Sequence, residues 1–282
     1  MAKKVAVIGF GYVGKAVANF LKEKFDVLAY DPFVSPDIAE LKSGRITLSN
    51  NKDEVNACDF AVISVPTPQG ENGVADLSMI EGTIEWLSTP LIMIKSTVPP
   101  GTAKRLREKT GKRIVFSPEY IGEGNFQVPF WKGYPDPLDM KKHDFMIIGG
   151  ERKDTSEALE YFKRIYGAEV RFVQTDSTTA ELCKYMENAF LATKVTFCNE
   201  FFEIAKSFGV DYDELREMWL LDGRIGRSHT AVFKESRGFA GKCLPKDVNG
   251  IVKASESAGH SPELLKAVLK TNETFVKNNP AK

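Results

Sequence analysis

Short apolar runs alternate with amphipathic segments through the first 175 residues, and this rhythm limits the possible folds more than any other feature. The runs are too apolar to leave one face in water, which indicates strands buried on both faces. Seven strands are predicted, at Lys4–Ile8, Val27–Tyr30, Phe60–Val65, Leu91–Lys95, Arg113–Phe116, Phe145–Ile148 and Val170–Val173. Helical spacing between them predicts helices at Val13–Lys24, Ser78–Leu87, Thr102–Lys109 and Thr155–Tyr166. The pattern predicts an α/β fold that begins with a Rossmann-type, doubly wound parallel sheet covered by helices.

After about Thr175 the strand pattern stops and only helical spacing remains. Residues 178–208 contain neither Gly nor Pro, which predicts one helix of about 31 residues, roughly 46 Å long. Its apolar residues cover more than one stripe, so it fits a central core helix and equally a helix that joins two copies of the chain. Further helices are predicted at Tyr212–Leu221, Pro245–Ala258 and Pro262–Val276. We therefore predict a Rossmann-type domain at 1–175, an all-helical domain at 176–282, and a homodimer formed through the 178–208 helix.

Composition and charge exclude several functional classes. Lys+Arg and Asp+Glu balance at 38 each among 282 residues, which argues against the broad basic surface that nucleic-acid binding requires. The sequence has no apolar run near the roughly 20 residues that span a bilayer. A secretory leader is also not expected. We expect a cytoplasmic protein that binds neither nucleic acid nor a membrane.

The cysteines and histidines form no pattern typical of a disulfide framework or of a metal site. We therefore expect no bound metal. Three cysteines stand within regular patterns and are predicted to be buried and inert: Cys58, Cys183 and Cys198. Three histidines lie outside every motif and are predicted to be surface or packing residues: His143, His229 and His260.

The turn after the first predicted strand reads Gly9-Phe10-Gly11-Tyr12-Val13-Gly14. In this spacing Gly9 permits a tight turn, Gly11 lets the backbone approach a pyrophosphate, and Gly14 allows the helix to pack closely on the strand. Asp31 ends the next strand, 20 residues beyond Gly11, where an acid binds the adenosine ribose hydroxyls. Because no Arg follows Asp31 closely, NAD is predicted rather than NADP. The alternative is a glycine turn with an unrelated acid nearby.

A candidate reactive thiol lies near the start of a predicted helix. Cys243 precedes Pro245, which favours the first turn of a helix, and a thiol at a helix N-terminus is activated by the helix dipole and by nearby cations. Asp247 follows about one turn later. Lys184 and Asn188 stand at positions i and i+4 and share one face of the long helix, where they are either functional or simply solvated. We predict that Cys243 is reactive rather than a buried, inert cysteine.

Seven motifs occur in an order that resembles the UDP-glucose/GDP-mannose dehydrogenase family, nearest to its UDP-glucose 6-dehydrogenases. Together they cover residues 4 to about 275. The motifs are GFGYVG at Gly9–Gly14, VPTP at Val65–Pro68, KSTVPPGT at Lys95–Thr102, SPEYIGEG at Ser117–Gly124, AELCKYMENAFLATKVTFCNE at Ala180–Glu200, RIG at Arg224–Gly226 and GFAGKCLPKD at Gly238–Asp247.

The resemblance implies a four-electron oxidation of a nucleotide sugar at its C6 primary alcohol, using two NAD in succession, with UDP-glucose as the first candidate substrate. It implies that Cys243 attacks the aldehyde formed in the first step, and that the resulting thiohemiacetal is oxidised to a thioester. Glu119 would then act as general base in the hydrolysis of this thioester.

Further roles follow from the same resemblance. Lys184 would stabilise the oxyanion, and Asn188 would assist it by hydrogen bonding. Asp247 would orient a water molecule or act as a base with Lys184, and Thr97 would hold that water. The implied cofactor contacts are Gly9, Gly11, Tyr12, Val13, Gly14, Asp31, Pro66, Thr67, Thr97 and Glu123. The implied substrate contacts are Glu119, Tyr120, Lys184, Asn188, Gly238, Phe239, Ala240 and Gly241.

The sequence departs from the family pattern in the segments with which the family binds its substrate. Most members carry a third, C-terminal nucleotide-binding domain, and this sequence ends where that domain would begin. A compact two-domain form is expected, and the alternative is a fragment whose C-terminal domain was removed or is supplied by another chain. The stretch 227–236 lacks the usual aromatic-Asn-x-Pro-Ser run, and Ala240 replaces a usual glycine. A longer segment at 126–144 carries Trp131 and Tyr134, which could stack on a ring instead.

Two other functions stay open. A two-electron β-hydroxyacid dehydrogenase has a similar size and also uses a Lys and an Asn one helical turn apart, but it makes no thioester and needs neither Cys243 nor Glu119. A non-catalytic subunit that binds NAD or a nucleotide sugar has no use for a reactive thiol. The presence of both residues favours the four-electron dehydrogenase.

Overall fold

The computed structural model describes residues 3–35, 44–70, 73–121 and 140–279. Within them the chain forms two compact units. The first contains residues 3–35, 44–68, 75–121 and 140–184, and the second contains residues 69–70, 73–74 and 185–279. The division falls inside the long helix, nine residues beyond the boundary placed at 175/176 from the sequence.

The described residues of the first unit form one sheet of eight strands. The strands are β1 (Lys4–Ile8), β2 (Asp26–Tyr30), β3 (Ile46–Leu48), β4 (Phe60–Ile63), β5 (Ile92–Ile94), β6 (Ile114–Phe116), β7 (Phe145–Gly149) and β8 (Arg171–Thr175). Their order across the sheet is β3-β2-β1-β4-β5-β6-β7-β8.

One pairing corrects the prediction of a parallel sheet. All neighbours run parallel except β6 and β7, which pair antiparallel with Phe116 opposite Gly149. A strand buried on both faces is equally apolar in either direction, so its composition does not reveal this reversal. The other departure is the pair of short elements β3 and α2, of three and five residues, which are too short to give a periodic signal.

Helices cover both faces of the sheet, which confirms the doubly wound architecture. They are α1 (Tyr12–Leu21), α2 (Lys52–Asn56), α3 (Ser78–Trp86), α4 (Thr102–Thr110) and α5 (Arg152–Lys163). Successive residues of β1 point to opposite faces: Val5 and Val7 enter a core with α1 and α5, whereas Ala6 and Ile8 enter a second core with α3 and α4. Both cores are nearly closed to solvent, so the sheet is a rigid base for the loops at its edge.

Residues 185–279 of the second unit form α-helices and no β-strand, as predicted, with a non-helical stretch from 220 to 243. Its helices are the C-terminal part of α6 (Ser177–Ser207), then α7 (Tyr212–Trp219), α8 (Leu244–Ser257) and α9 (Glu263–Lys277). The predicted length of 31 residues for α6 is confirmed. Ala192 of α6 packs with Phe239, Val248 and Val268 in a small core. Within the described ranges, no helix is both long and apolar enough to cross a membrane.

Candidate active site

The glycine turn after β1 leaves no room for side chains where it meets α1. Gly9 has a φ of +83°, which favours glycine. A Cβ on Gly14 would lie 1.9 Å from the Gly9 carbonyl oxygen, whereas Gly11 is exposed with no heavy atom within 4 Å of its Cβ position. The first turn of α1 therefore offers its backbone N–H groups to an open space, a geometry that fits a pyrophosphate.

Asp31 lies directly beside this turn. Its carboxylate accepts hydrogen bonds from the Phe10 N–H at 2.8 Å and from the Phe33 N–H at 2.9 Å. These bonds fix a negative charge at the carboxyl end of β2, next to the start of α1. The residues present therefore fit an NAD adenosine, whose ribose hydroxyls are donors to such a carboxylate.

The loops after β4 and β5 are tied to each other at the same edge of the sheet. The buried Thr67 hydroxyl donates to the Thr97 carbonyl at 2.9 Å, and the Ser96 hydroxyl donates to the Val65 carbonyl at 2.6 Å. Parallel strands bring their carboxyl ends to one edge, where ligands of doubly wound sheets bind. The structure thus places Thr67 and Thr97 together; the predicted contact Glu123 and the aromatic segment with Trp131 and Tyr134 lie outside the described residues.

Glu119 follows β6 and is buried, with only 8% of its surface exposed. Its Oε1 accepts the N–H groups of Tyr120 and Ile121, each at 2.8 Å. Its Oε2 is buried and accepts no hydrogen bond from the described part of the chain, although Lys95 Nζ lies 3.3 Å away. Oε1 is therefore held by the backbone, whereas the lone pairs of Oε2 stay available.

Tyr120 connects the Glu119 loop to the start of α6. The Lys184 Nζ lies 4.9 Å from the centre of the Tyr120 ring, and the Tyr120 hydroxyl lies 3.7 Å from Cys183 Sγ. A cation over an aromatic face is attracted by the ring quadrupole. The structure thus brings Lys184 to the residue that follows Glu119, which unites two of the predicted site residues within the first unit.

Asn188 and Asp247 form the centre of the predicted site in the second unit. The Asn188 side-chain amide donates to Asp247 Oδ2 at 2.5 Å, and Lys246 Nζ lies 2.6 Å from Asp247 Oδ1. Asn188 and Asp247 are 5% and 2% exposed. Each Asp247 oxygen therefore has a charged or polar partner, which is the requirement for burying a carboxylate.

Cys243 is the N-cap residue of α8 and its thiol-bearing side chain is exposed, as predicted. The Asp247 N–H donates to the Cys243 carbonyl at 2.9 Å, so the buried acid stands one turn from the thiol. Cys58 and Cys198 are buried, and burial raises the pKa of Cys58 to about 11. Cys183 is half-buried, contrary to expectation. Of the four cysteines, only Cys243 is exposed.

The loop that leads to Cys243 is held by an asparagine that the sequence did not single out. Asn272 of α9 accepts the Phe239 N–H at 2.8 Å and donates to the Phe239 carbonyl at 2.9 Å. Gly238 has a φ of +72°, and a Cβ there would lie 2.5 Å from Asn272 Oδ1. The next residues, Ala240 and Gly241, are exposed. A buried amide within a helix could have been noticed as a polar residue on an apolar face, but its partner could not.

Two further buried residues lie inside the sequence motifs, although the sequence predicted no role for them. Lys95 is buried beside Glu119, and Glu181 of α6 is fully buried. Glu181 accepts the Gly101 and Ala103 N–H groups at 2.5 and 2.8 Å, which caps the N-terminus of α4. Burial raises the pKa of Glu181 to about 7, against these hydrogen bonds that lower it. A charged residue in an apolar stretch was the only available signal for either.

His229 was predicted to be a surface or packing residue, and its backbone conformation and its pKa are both unusual. Within the described residues it is the one non-glycine residue with a positive φ, of 61°. Burial, with a smaller effect of Lys194, lowers its pKa to about 4. The described residues contain no group of three His, Cys, Asp or Glu side chains that could hold a metal ion.

Comparison with protein families assigns both units to one family. Residues 30–168 match the model of the UDP-glucose/GDP-mannose dehydrogenase family, NAD binding domain, and residues 178–274 match that family's central domain. The two matches cover most of the chain and follow the family's order.

Similar proteins carry consistent names. UDP-glucose 6-dehydrogenase TuaD of Bacillus subtilis is 31% identical over 96% of this chain and 63% of TuaD. UDP-glucose 6-dehydrogenase AglM of Haloferax volcanii is 30% identical over 96% of this chain and 69% of AglM. A solved UDP-glucose dehydrogenase from Pyrobaculum islandicum superposes with a TM-score of 0.80 at 30% identity, covering 97% of this chain and 68% of that one. The chain spans about two thirds of the length of these relatives.

Proposed function

Because the chain belongs to the UDP-glucose/GDP-mannose dehydrogenase family, we propose that it is an NAD-dependent dehydrogenase that oxidises the C6 primary alcohol of a nucleotide sugar to a carboxylate. UDP-glucose is the first substrate to test, since the relatives above bear its name. The single observation that carries the proposal is the exposed thiol of Cys243 at the start of α8, one turn from the buried Asp247. A dehydrogenase that made only an aldehyde or ketone would have no use for it.

The first unit would hold NAD. The turn Gly9–Gly14 would receive the pyrophosphate, and Asp31 would accept hydrogen bonds from the adenosine ribose. The absence of a compensating Arg after Asp31 in the sequence favours NAD over NADP. When bound, NAD supplies the hydride acceptor for both oxidations. Pro66, Thr67 and Thr97 stand at the edge where the rest of the cofactor would lie.

The second unit would supply the nucleophile. After the alcohol is oxidised to an aldehyde, Cys243 Sγ would form a bond to the aldehyde carbon and give a thiohemiacetal. Loss of a second hydride from this adduct leaves a thioester on Cys243. Lys184 would stabilise the oxyanion of the adduct. Asn188 would assist by hydrogen bonding, and its bond to Asp247 would keep both groups in place.

Hydrolysis would then release the product. Glu119 Oε2 would accept a proton from the attacking water, since this oxygen is buried and accepts no hydrogen bond from the described residues. Thr97 would hold the water, and Asp247 would orient it or serve as a base with Lys184. Substrate contacts are proposed for Tyr120 and for the loop Gly238–Gly241, in which the exposed Ala240 and Gly241 allow close approach.

The decisive experiment counts NADH formed per sugar consumed, with NAD and a panel of UDP- and GDP-sugars. The proposal expects two NADH per sugar, lost when Cys243→Ala is introduced and kept in the matched variant Cys58→Ala. One NADH per sugar would identify the two-electron β-hydroxyacid type of reaction. NAD binding without turnover on any sugar would identify a binding subunit and refute the proposal.

The protein is proposed to form a homodimer through α6. Large apolar side chains stand exposed along this helix at spacings of three, four and seven residues, the spacing of a helix–helix seam. They are Leu182, Met186, Phe190, Phe197, Phe201 and Ile204, followed by Phe208 one residue beyond the end of the helix. A contiguous apolar stripe of this length marks an interface, and a second copy presents a matching stripe around a two-fold axis.

Light scattering at micromolar concentration tests the dimer. Met186→Glu, at a position 78% exposed, should convert a dimer into a monomer without loss of helicity. The control Leu264→Glu changes an apolar residue of α9 that is 67% exposed and should leave the mass unchanged. A wild-type monomer, or a dimer that survives Met186→Glu, would contradict the proposed interface.

A further inference from the structure

Lys95 is a buried cation that the reaction described above does not use. It follows β5, and 4% of its surface is exposed. Its backbone N–H donates to the Ile63 carbonyl of the neighbouring β4 at 2.8 Å. The root of this side chain is therefore fixed by the sheet.

The ammonium group of Lys95 contacts the whole turn that carries Glu119. Its Nζ lies 3.3 Å from the Pro118 carbonyl, 3.4 Å from the Ser117 hydroxyl and 3.3 Å from Glu119 Oε2. The Ser117 N–H donates in turn to the Ile94 carbonyl at 2.9 Å. One lysine thus joins the carboxyl ends of β5 and β6 at the point where Glu119 leaves the sheet.

This ion pair differs from the other pairs in the described ranges. Among the ion pairs of the described residues, only that of Lys95 and Glu119 has both side chains less than a tenth exposed, at 3% and 9%. Burying two charges is expensive and an apolar pair of the same volume is often at least as stable. Stability of the fold is therefore a weak reason for this arrangement, and a chemical role explains it better.

The two carboxylate oxygens of Glu119 have different contacts. Oε1 accepts two backbone N–H groups, which fix the direction of the carboxylate. Oε2 faces the charge of Lys95 without a hydrogen bond from the described residues. The lysine therefore lies against Oε2 and leaves a lone pair of this oxygen available.

We propose that Lys95 is a positioning residue for thioester hydrolysis, which holds Glu119 Oε2 in place as the acceptor of the water's proton. This inference rests on the function proposed above. In the step, the water oxygen forms a bond to the thioester carbon and a water proton passes to Glu119 Oε2. The carbon–sulfur bond breaks and Cys243 leaves as a thiolate, and the proton on Glu119 then passes to solvent. No electrons are exchanged in this step.

The inference predicts a distinct consequence for the two halves of the reaction. Without the Lys95 ammonium group, Glu119 Oε2 loses the charged partner beside it, and the turn from Ser117 to Glu119 loses the contacts that hold it. The carboxylate is then no longer fixed in the direction from which it accepts the water's proton. Replacing Lys95 by an apolar side chain should therefore slow hydrolysis and spare the formation of the thioester. The acylated enzyme should accumulate.

The experiment mixes each purified variant with NAD and UDP-glucose, quenches with acid and measures the intact protein mass alongside NADH. Lys95→Met should give a burst of about two NADH per protein, a UDP-glucuronosyl adduct on Cys243, and steady turnover lowered about 100-fold, the lower end of what a general base contributes. Lys95→Arg should restore turnover to within a few-fold of the wild type. Lys112→Met, which removes a half-buried lysine bonded to the Ile84 and Glu85 carbonyls, should resemble the wild type.

A double variant keeps the test valid if Lys95→Met folds poorly, because Lys95→Met/Glu119→Gln removes both charges. If Lys95 acts through Glu119, the double variant should accumulate the adduct to the same extent as Glu119→Gln alone. A further tenfold loss of turnover in the double variant would overturn the inference, as would a Lys95→Met enzyme that hydrolyses its thioester at the wild-type rate. Failure of the proposed function looks different: the wild type then forms no NADH from UDP-glucose, and the inference falls with it.

Discussion

The buried carboxylate of Glu181 should make the stability of the protein fall as the pH rises through the neutral range. Burial raises the pKa of Glu181 from 4.5 to about 7 in the folded chain. The folded state therefore holds its proton more tightly than the unfolded state. The stabilisation is fully present below pH 4.5 and is lost between pH 4.5 and about 7. Each pKa unit corresponds to 1.36 kcal/mol, so the loss should be about 3 kcal/mol.

The assay is urea unfolding of the wild type and of Glu181→Gln at intervals from pH 4.5 to 8. Glutamine stays neutral and keeps one of the two accepting oxygens at the start of α4. Its own contribution does not change with pH, so the pH trend of the difference between the two proteins isolates the titration of Glu181. The wild type should lose about 3 kcal/mol relative to the variant across this range. Glu108→Gln, at an exposed position of α4, should show no such trend. A pH-independent difference would refute the account of Glu181 as a buried acid.

Other changes test the remaining parts of the site. Gly14→Ala should weaken NAD binding at least 100-fold in calorimetry, because the new Cβ would meet a carbonyl oxygen at 1.9 Å, whereas Gly82→Ala, with open space around it, should bind NAD normally. Asn272→Ala leaves the Phe239 N–H and carbonyl without partners and should lower stability by about 1–3 kcal/mol; unchanged stability would contradict this clamp. For His229, whose pKa is lowered to about 4, stability should fall by about 3 kcal/mol as the pH drops from 6.5 to 4, and His229→Asn should abolish that dependence.

The sequence alone predicts long periodic segments and the local signals that begin or end a helix. The predicted strand Lys4–Ile8 coincides with β1, and α6 lies within one residue of its predicted ends. The helix start at Cys243 followed from Pro245 alone. These features depend on local chemistry that a single sequence contains, namely apolar spacing and the fixed φ of proline.

The features that were not predicted depend on partners distant along the chain. Glu181 meets the Gly101 N–H 80 residues away, and Asn272 meets Phe239 33 residues away. The motifs predicted a role for Glu119 because a carboxylate there has a recognised chemistry. They gave no sign that Lys95 is its partner, because that contact is visible only in the folded chain. The direction of β7 likewise depends on the path of the chain between strands and not on the composition of the strand itself.

The amide clamp at Phe239 is one of two side-chain amide attachments between the loop that precedes Cys243 and the last described residues. The Asn279 side chain accepts the Arg237 N–H at 2.7 Å and donates to the Arg237 carbonyl at 3.0 Å. Residues 237 and 239 are thus both fastened to the segment 272–279. For protein engineering, this segment is part of the scaffold of Cys243. Any shortened version that is meant to keep the thiol in place has to retain Asn279, and a rigid fusion joined immediately after it would pull directly on the loop.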